Sequence, residues 1–256
     1  MILAIDVGNT NIVLGCIEKG EIRTVVRLRT ETRETEAEYA IELKQLLDFY
    51  GVDSRSFEGA ILSSVVPPVT QILVKSVAAL TGKPPLVVGP GMKTGLNVRI
   101  DDPGTVAGDL VVGSVATLNY YGPSAIVLDM GTATTMTVLD KEGTFRGGAI
   151  IPGVKLSYNA LAAGTSLLPN ISIVPPKKVV ATNTVDSMQS GAVFGTAAMI
   201  DGMCDRMEEE LGYPLNVVAT GGLAEAVTPY CRRKIICDND LLLKGLWVLY
   251  EKNQKS

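Results

Sequence analysis

The chain has 256 residues, 46% of them hydrophobic and 20% charged, with a net charge of −4, enough for one large domain or two lobes of ordinary size. Its mild acidity, with only four Phe and one Trp, supplies neither the basic footprint nor the stacking platforms of a nucleic-acid binder. The absence of histidine removes Ser-His-Asp and Cys-His nucleophiles, His general bases and His-rich zinc sites, leaving proton transfer to carboxylates, Lys, Tyr or water.

The chain enters a strand-like run at once, without a basic n-region or a small-residue cleavage site, and no apolar stretch is long enough to span a bilayer. That pattern predicts a cytoplasmic protein with no membrane partner. Met1 to Ile5 leads into Asp6-Val7-Gly8-Asn9-Thr10-Asn11, and the apolar run that follows, opening on Ile12 and Val13, ends in the turn signal Glu18-Lys19-Gly20. This reads as strand, tight turn, strand. An Asp at a strand end holds a hydrated cation or orients a water, while a Gly lets backbone N–H groups approach a phosphate to which hydroxyl and amide side chains also donate.

Thr35-Glu36-Ala37-Glu38 is a capping box, and Tyr39, Leu43, Leu46, Leu47 and Tyr50 follow at helical spacing until Gly51. This is a core-facing helix without a catalytic role. Apolar runs at 60–66 and 86–88 read as strands separated by a helix over 69–80, completing an α/β lobe. The segment Gly89-Pro90-Gly91-Met92-Lys93-Thr94-Gly95 lacks the Gly-Lys-Ser/Thr spacing of a P-loop, and Pro90 removes a donor. It is expected to be a loop between lobes.

A second lobe opens near Ala125 with Leu128-Asp129-Met130-Gly131-Thr132-Ala133-Thr134-Thr135, ending in the turn signal Lys141-Glu142-Gly143. Asp6 matches Asp129, Gly8 matches Gly131 and Gly20 matches Gly143, at one constant offset. Two such loops facing each other would clamp one polyphosphate. Arg146-Gly147-Gly148 and Ile151-Pro152-Gly153 follow, then a helix through Leu161, a connector around Pro175-Pro176, and a helix over about 187–211. A strand over 216–219 ends in Thr220-Gly221-Gly222, which suits close approach of a flat ligand and equally suits a plain tight turn. Cys16, Cys204, Cys231 and Cys237 show no metal-ligand spacing and read as reduced thiols.

Taken in order, the two Asp-x-Gly loops, Gly147-Gly148-Ala149-Ile150-Ile151-Pro152-Gly153, Asn183-Thr184-Val185-Asp186-Ser187-Met188-Gln189-Ser190-Gly191 and Thr220-Gly221-Gly222 resemble the type III pantothenate kinases over nearly the whole chain. The Asn-Thr-x-x-Ser-Met-Gln-Ser-Gly segment is the most specific part. The phosphate loops recur across the actin-like and sugar-kinase superfamily. The resemblance implies an α/β protein of two ribonuclease-H-like, actin-like lobes with duplicated β-hairpin phosphate loops, over 1–120 and 121–256, assembled as a homodimer. It also implies transfer of the ATP γ-phosphate to pantothenate, the first step of coenzyme A biosynthesis, with Mg²⁺ and a monovalent cation, K⁺ or NH₄⁺.

Carried over by position, Asp6 to Val13 form the first phosphate loop, with Asp6 also serving the Mg²⁺. Thr132 contacts the nucleotide, Asp129 ligates the monovalent cation and Thr184 contacts the acceptor. The family's Gly-x-Asp-Arg motif falls on Ala107-Gly108-Asp109-Leu110, which makes Asp109 the general base. A carboxylate is adequate there, because positioning and charge neutralisation dominate a loose phosphoryl-transfer transition state. Read from the residues alone, Asp109 after Gly108 also fits a helix N-cap.

The chain departs from the family at Ala107 and Leu110, where the family has Gly and Arg. It departs again at Ile100, where a Tyr commonly precedes the turn, here Asp101-Asp102-Pro103. Arg offers a fork of donors to acceptor oxygens and Leu offers none. Two further readings therefore stand beside a pantothenate kinase: a related kinase for another small primary alcohol, and a catalytically weak nucleotide-binding regulatory paralogue.

Overall fold

The computed structural model describes residues 1–254 and divides the chain into two compact units. The first comprises Met1–Leu96, Asp101–Tyr120 and the chain from Asp240; the second comprises Asn97–Ile100 and Tyr121–Asn239. These bounds differ from a single cut at 120 at two places. Residues 97–100 run beside the second sheet, where the Arg99 N–H donates to the Phe145 carbonyl (2.9 Å) and the Phe145 N–H to the Asn97 carbonyl (2.8 Å). The last helix returns to the first unit because its apolar face belongs to that core.

In the first unit β1 (Ile2–Val7), β2 (Asn11–Glu18) and β3 (Glu21–Arg29) form an antiparallel meander, and β4 (Gly59–Ser64) and β5 (Leu86–Val87) add in parallel, giving the order β3-β2-β1-β4-β5. Helix α1 (Glu36–Phe49) starts at the expected capping box, with Thr35 and Glu38 bonded reciprocally, and buries Tyr39, Leu43 and Leu47. With α2 (Pro67–Thr81) it covers one sheet face, where Leu73 and Val77 meet Leu3, Ile5, Leu14 and Leu62. Helices α3 (Gly108–Tyr120) and, from the end of the chain, α8 (Leu241–Gln254) cover the other face, where Val112, Leu243, Leu246 and Leu249 meet Ile2, Ala4, Ile17 and Ile61. The Gly89–Gly95 loop lies within this unit rather than between lobes. Asn253 bonds both backbone groups of Lys93, and Lys252 Nζ donates to the Thr94 carbonyl.

The second unit repeats the plan. Strands β6 (Ala125–Met130), β7 (Ala133–Leu139) and β8 (Phe145–Pro152) form the meander, and β9 (Asn216–Thr220) and β10 (Ile235–Cys237) add in parallel on the β6 side. One face buries Ile126, Leu128, Met136 and Val217 under α4 (Val154–Ala163), α6 (Thr196–Leu211) and α7 (Ala224–Val227). The helix expected from about 187 instead begins as α5 (Thr184–Ser190), capped by the Asn183 side chain, and passes through a π-helical stretch, Gly191–Gly195, before α6. Near the two ends of this unit, Tyr121 Oη donates to Asp238 Oδ2 at 2.7 Å.

Candidate functional site

Asp6 is the penultimate residue of β1, opposite Val13 on β2 and Ser63 on β4, and Val13 is in turn opposite Arg27 on β3. Directly paired residues carry their side chains on one face of a sheet. Ser63, Asp6, Val13 and Arg27 therefore form one row on the face that α3 and α8 cover. The core confirms the parity, since Ala4, Ile61 and Val25, two residues earlier on β1, β4 and β3, pack into that same layer. Alternation sends Val7 and Ile12 to the opposite face, where they are 1% and 0% exposed in the α1–α2 core. Those two loop residues have only backbone groups to offer a ligand.

Asn9, Thr10 and Asn11 are exposed at the turn, and Asp6 is half-buried. The Gly8 N–H donates to the Asn11 carbonyl (3.0 Å), and Thr30 at the end of β3 braces the turn through Oγ1 to the Gly8 carbonyl (2.7 Å) and N–H to the Thr10 carbonyl (3.1 Å).

At the same end of this sheet α3 begins at Gly108. The Val111 N–H donates to the Ala107 carbonyl (3.2 Å), so Ala107 holds the capping position and Asp109 sits inside the first turn, not at the N-cap. Asp109 is half-buried, and its Oδ1 accepts from the Leu110 N–H at 2.7 Å. Burial pushes its carboxyl above the usual carboxylate range, against the opposing pull of the Leu110 N–H and its own N–H. Leu110 is half-buried beside it, and Ala107 is exposed.

Ser63 links the two carboxylate positions. It pairs with Asp6, and a β-carbon built on Gly108 would stand 3.1 Å from its Oγ. Its side chain is fully buried, and its hydroxyl has no hydrogen-bond partner among the described residues. Sequence reasoning passed over Ser63, and also Arg27, because only strand pairing reveals their row.

In the second unit the matching row is Thr220, Asp129, Thr135 and Ile150. Asp129 is half-buried and Thr132 exposed. The Gly153 N–H donates to the Thr132 carbonyl (3.1 Å), and a β-carbon at 153 would stand 2.5 Å from the Gly131 carbonyl oxygen. Gly221 has φ +94°, and a β-carbon there would lie 2.6 Å from Asp129 Oδ1. The structure thus gathers Gly131, Thr132, Gly153 and Gly221 around Asp129, and the Thr220-Gly221 turn is a close approach rather than a plain turn.

Thr184 opens α5 and is exposed, next to Asn183, whose Oδ1 accepts from the Asp186 N–H at 2.9 Å. The rest of that motif holds the long segment before it. Gln189 Nε2 donates to the Ser172 carbonyl (3.2 Å) and Ser190 Oγ to the Val179 carbonyl (2.6 Å). Ile100 lies against Gly147 in this unit, whereas Ala107, Gly108 and Leu110 belong to the first.

Among the described residues no three His, Cys, Asp or Glu side chains gather to enclose a metal ion. Asp6 and Asp129 each bring one carboxylate to a strand end of its unit. That donor set suits a hydrated Mg²⁺ or a monovalent ion whose shell is completed by water and phosphate oxygens, not an all-protein cage.

Residues 2–206 match the type III pantothenate kinase family, and the chain belongs to that family. Solved structures of similar fold include a protein assigned to the Baf family of transcriptional activators from Campylobacter jejuni, with TM-score 0.58 and 18% identity over 99% of this chain and 100% of that one. Component A of (R)-2-hydroxyglutaryl-CoA dehydratase from Acidaminococcus fermentans has TM-score 0.58 and 14% identity over 100% and 99% of the two chains. A protein assigned as a 2-dehydro-3-deoxygalactonokinase from Sinorhizobium meliloti has TM-score 0.60 and 12% identity over 98% and 96%. At these identities the likeness is one of fold.

Proposed function

From membership of this family, we propose that the chain transfers the γ-phosphate of ATP to the primary hydroxyl of pantothenate, giving 4'-phosphopantothenate for coenzyme A biosynthesis. The observation that carries the reading is that Ser63 has Asp6 paired beside it on the sheet and Gly108, the residue before Asp109, packed against its hydroxyl. Asp109, with its carboxyl raised by burial, takes the proton of the acceptor hydroxyl. A base whose affinity for protons is nearer neutrality transfers them more effectively at working pH. Backbone N–H groups and the hydroxyl and amide side chains of Asn9, Thr10, Asn11 and Thr132 hold the phosphates.

Asp6 would hold Mg²⁺, which would supply charge neutralisation for the phosphates, and Asp129 would hold the monovalent cation, K⁺ or NH₄⁺. Thr184 contacts the acceptor. A homodimer fits the same reading, supported by the exposed apolar side chains Ile150, Leu156, Leu167 and Val180 of the second unit, 51% to 90% exposed. No helix among the described residues is long and apolar enough to cross a membrane. The four free cysteines accord with work in the reducing cytoplasm.

One observation favours a second acceptor. Leu110, half-buried beside Asp109, offers an apolar surface where the family resemblance expects a guanidinium, which suits a small alcohol less polar than pantothenate. The test is ADP release by purified protein with pantothenate, pantetheine and other primary alcohols, in K⁺, NH₄⁺ and Na⁺ buffers. The leading reading expects pantothenate to be the best acceptor and K⁺ or NH₄⁺ to outperform Na⁺. Turnover confined to another alcohol replaces the acceptor, and turnover indifferent to all three ions removes the cation from Asp129.

A further inference from the structure

The row across the first sheet carries a cation that the phosphate loop lacks. No Lys or Arg occurs between Met1 and Glu18, nor between Ile100 and Tyr120, so the loop and the start of α3 bring two carboxylates and no positive side chain toward a triphosphate. Arg27 stands on the same face as Asp6, two strands away, a separation of about 9.5 Å from the spacing of adjacent strands. A phosphate group near the Asp6 turn falls within the arc of so long a side chain.

Two further observations single this arginine out. Arg27 is exposed and has no ion pair or hydrogen-bond partner among the described residues, whereas Arg29, on the same face, lies 4.0 Å from Glu31. Arg27 also belongs to the strand whose end is tied to the loop, through the two hydrogen bonds from Thr30 to Gly8 and Thr10. Its backbone is thus held in fixed relation to the turn. In the second unit the corresponding position of the row is Ile150, so the cation is particular to the first loop and not a feature of the repeated fold.

We infer that Arg27 binds the polyphosphate of the nucleotide, its guanidinium forking onto phosphate oxygens beside the Asp6 loop. The inference rests on the kinase reading for its ligand, not on the identity of the acceptor. An arginine on an edge strand also deters pairing with another edge, and that role alone predicts no change in nucleotide affinity.

The experiment is calorimetric titration of the full chain with Mg-ATP and with adenosine, for wild type, Arg27→Gln, Arg27→Lys and, as a control for net charge, Arg55→Gln. Arg55 is exposed and bonded to Asp53 at the far end of the unit's helices. Arg27→Gln is expected to weaken ATP about tenfold or more, the scale of a lost hydrogen bond to a charged group, with adenosine binding and melting temperature unchanged. Arg27→Lys should recover part of the loss and Arg55→Gln should match wild type. ATP affinity of Arg27→Gln within about twofold of wild type overturns the inference, as does an equal loss in Arg55→Gln. If ATP binding depends on Arg27 while no pantothenate turnover is found, the acceptor reading falls and this one stands. If pantothenate is phosphorylated and ATP affinity ignores Arg27, the reverse holds. A wild-type chain that binds no nucleotide ends both.

Discussion

Gly221 and Asp129 touch: the turn after β9 brings the Gly221 α-carbon so near the β6 carboxylate that a β-carbon would stand 2.6 Å from Oδ1 and 2.7 Å from the Met130 backbone. Gly221→Ala therefore meets two costs, a left-handed backbone at φ +94° and a steric overlap. The backbone alone costs about 1–3 kcal/mol. The variant should melt lower and lose turnover together, because the side chain that must move is Asp129. A melting temperature equal to wild type would show that the turn relaxes without disturbing the carboxylate.

Asp109→Asn should keep ATP binding while turnover falls about a hundredfold or more, the scale of losing a general base. The acid limb of wild-type kcat/KM should lie above the ordinary Asp value of about 3.9, since burial raises this carboxyl. The same shift has a consequence for stability. The folded state binds this proton more tightly than the unfolded chain, so stability falls as pH rises from the unfolded value through the raised one. The neutral Asn should thus fold at least as stably as wild type at neutral pH. A variant with full activity, or one markedly less stable at neutral pH, removes Asp109 from the role of buried base.

The repeated Asp-x-Gly turns and the capping box at Thr35 were legible because their information is local: turn chemistry and helical periodicity need no partner. The constant offset between the repeats concealed a difference. The first turn has three residues between its strands, Gly8 to Thr10, and the second has two, Gly131 and Thr132. The distal turns offset this, Lys19-Gly20 being two residues and Asp140 to Thr144 five. The return of α8 to the first unit was not legible, since a stripe of Leu243, Leu246 and Leu249 announces a buried face without naming its partner. Ser63 and Arg27 were hidden for the same reason. Their relation to Asp6 exists only in strand register, whereas the family resemblance, and no local pattern, singles out Asp109 as a candidate base.

A second copy of the chain is expected to cover the exposed apolar side chains of the second unit. Sedimentation at micromolar concentration should report twice the chain mass, and Leu167→Asp with Val180→Asp, at positions 90% and 83% exposed, should shift it toward one chain without lowering the melting temperature of the monomer. A wild-type monomer that phosphorylates pantothenate would refute the homodimer as the working form.

Substitution of Leu110 tests the proposal that this residue lines the acceptor pocket. It follows Asp109 in the first turn of α3 and is half-buried, and a Leu offers no donor where an Arg would present a fork. Leu110→Arg should lower the Michaelis constant for pantothenate by about tenfold or more, because a charged donor to an acceptor oxygen contributes about 1.5–3 kcal/mol. The kcat should change little, since that contact is made equally in the ground and transition states. The Michaelis constant for ATP serves as the internal control and should stay put. If pantothenate kinetics are unmoved while a less polar alcohol is turned over faster by wild type than by the variant, Leu110 is a specificity residue for that other alcohol, and the pantothenate reading gives way to it.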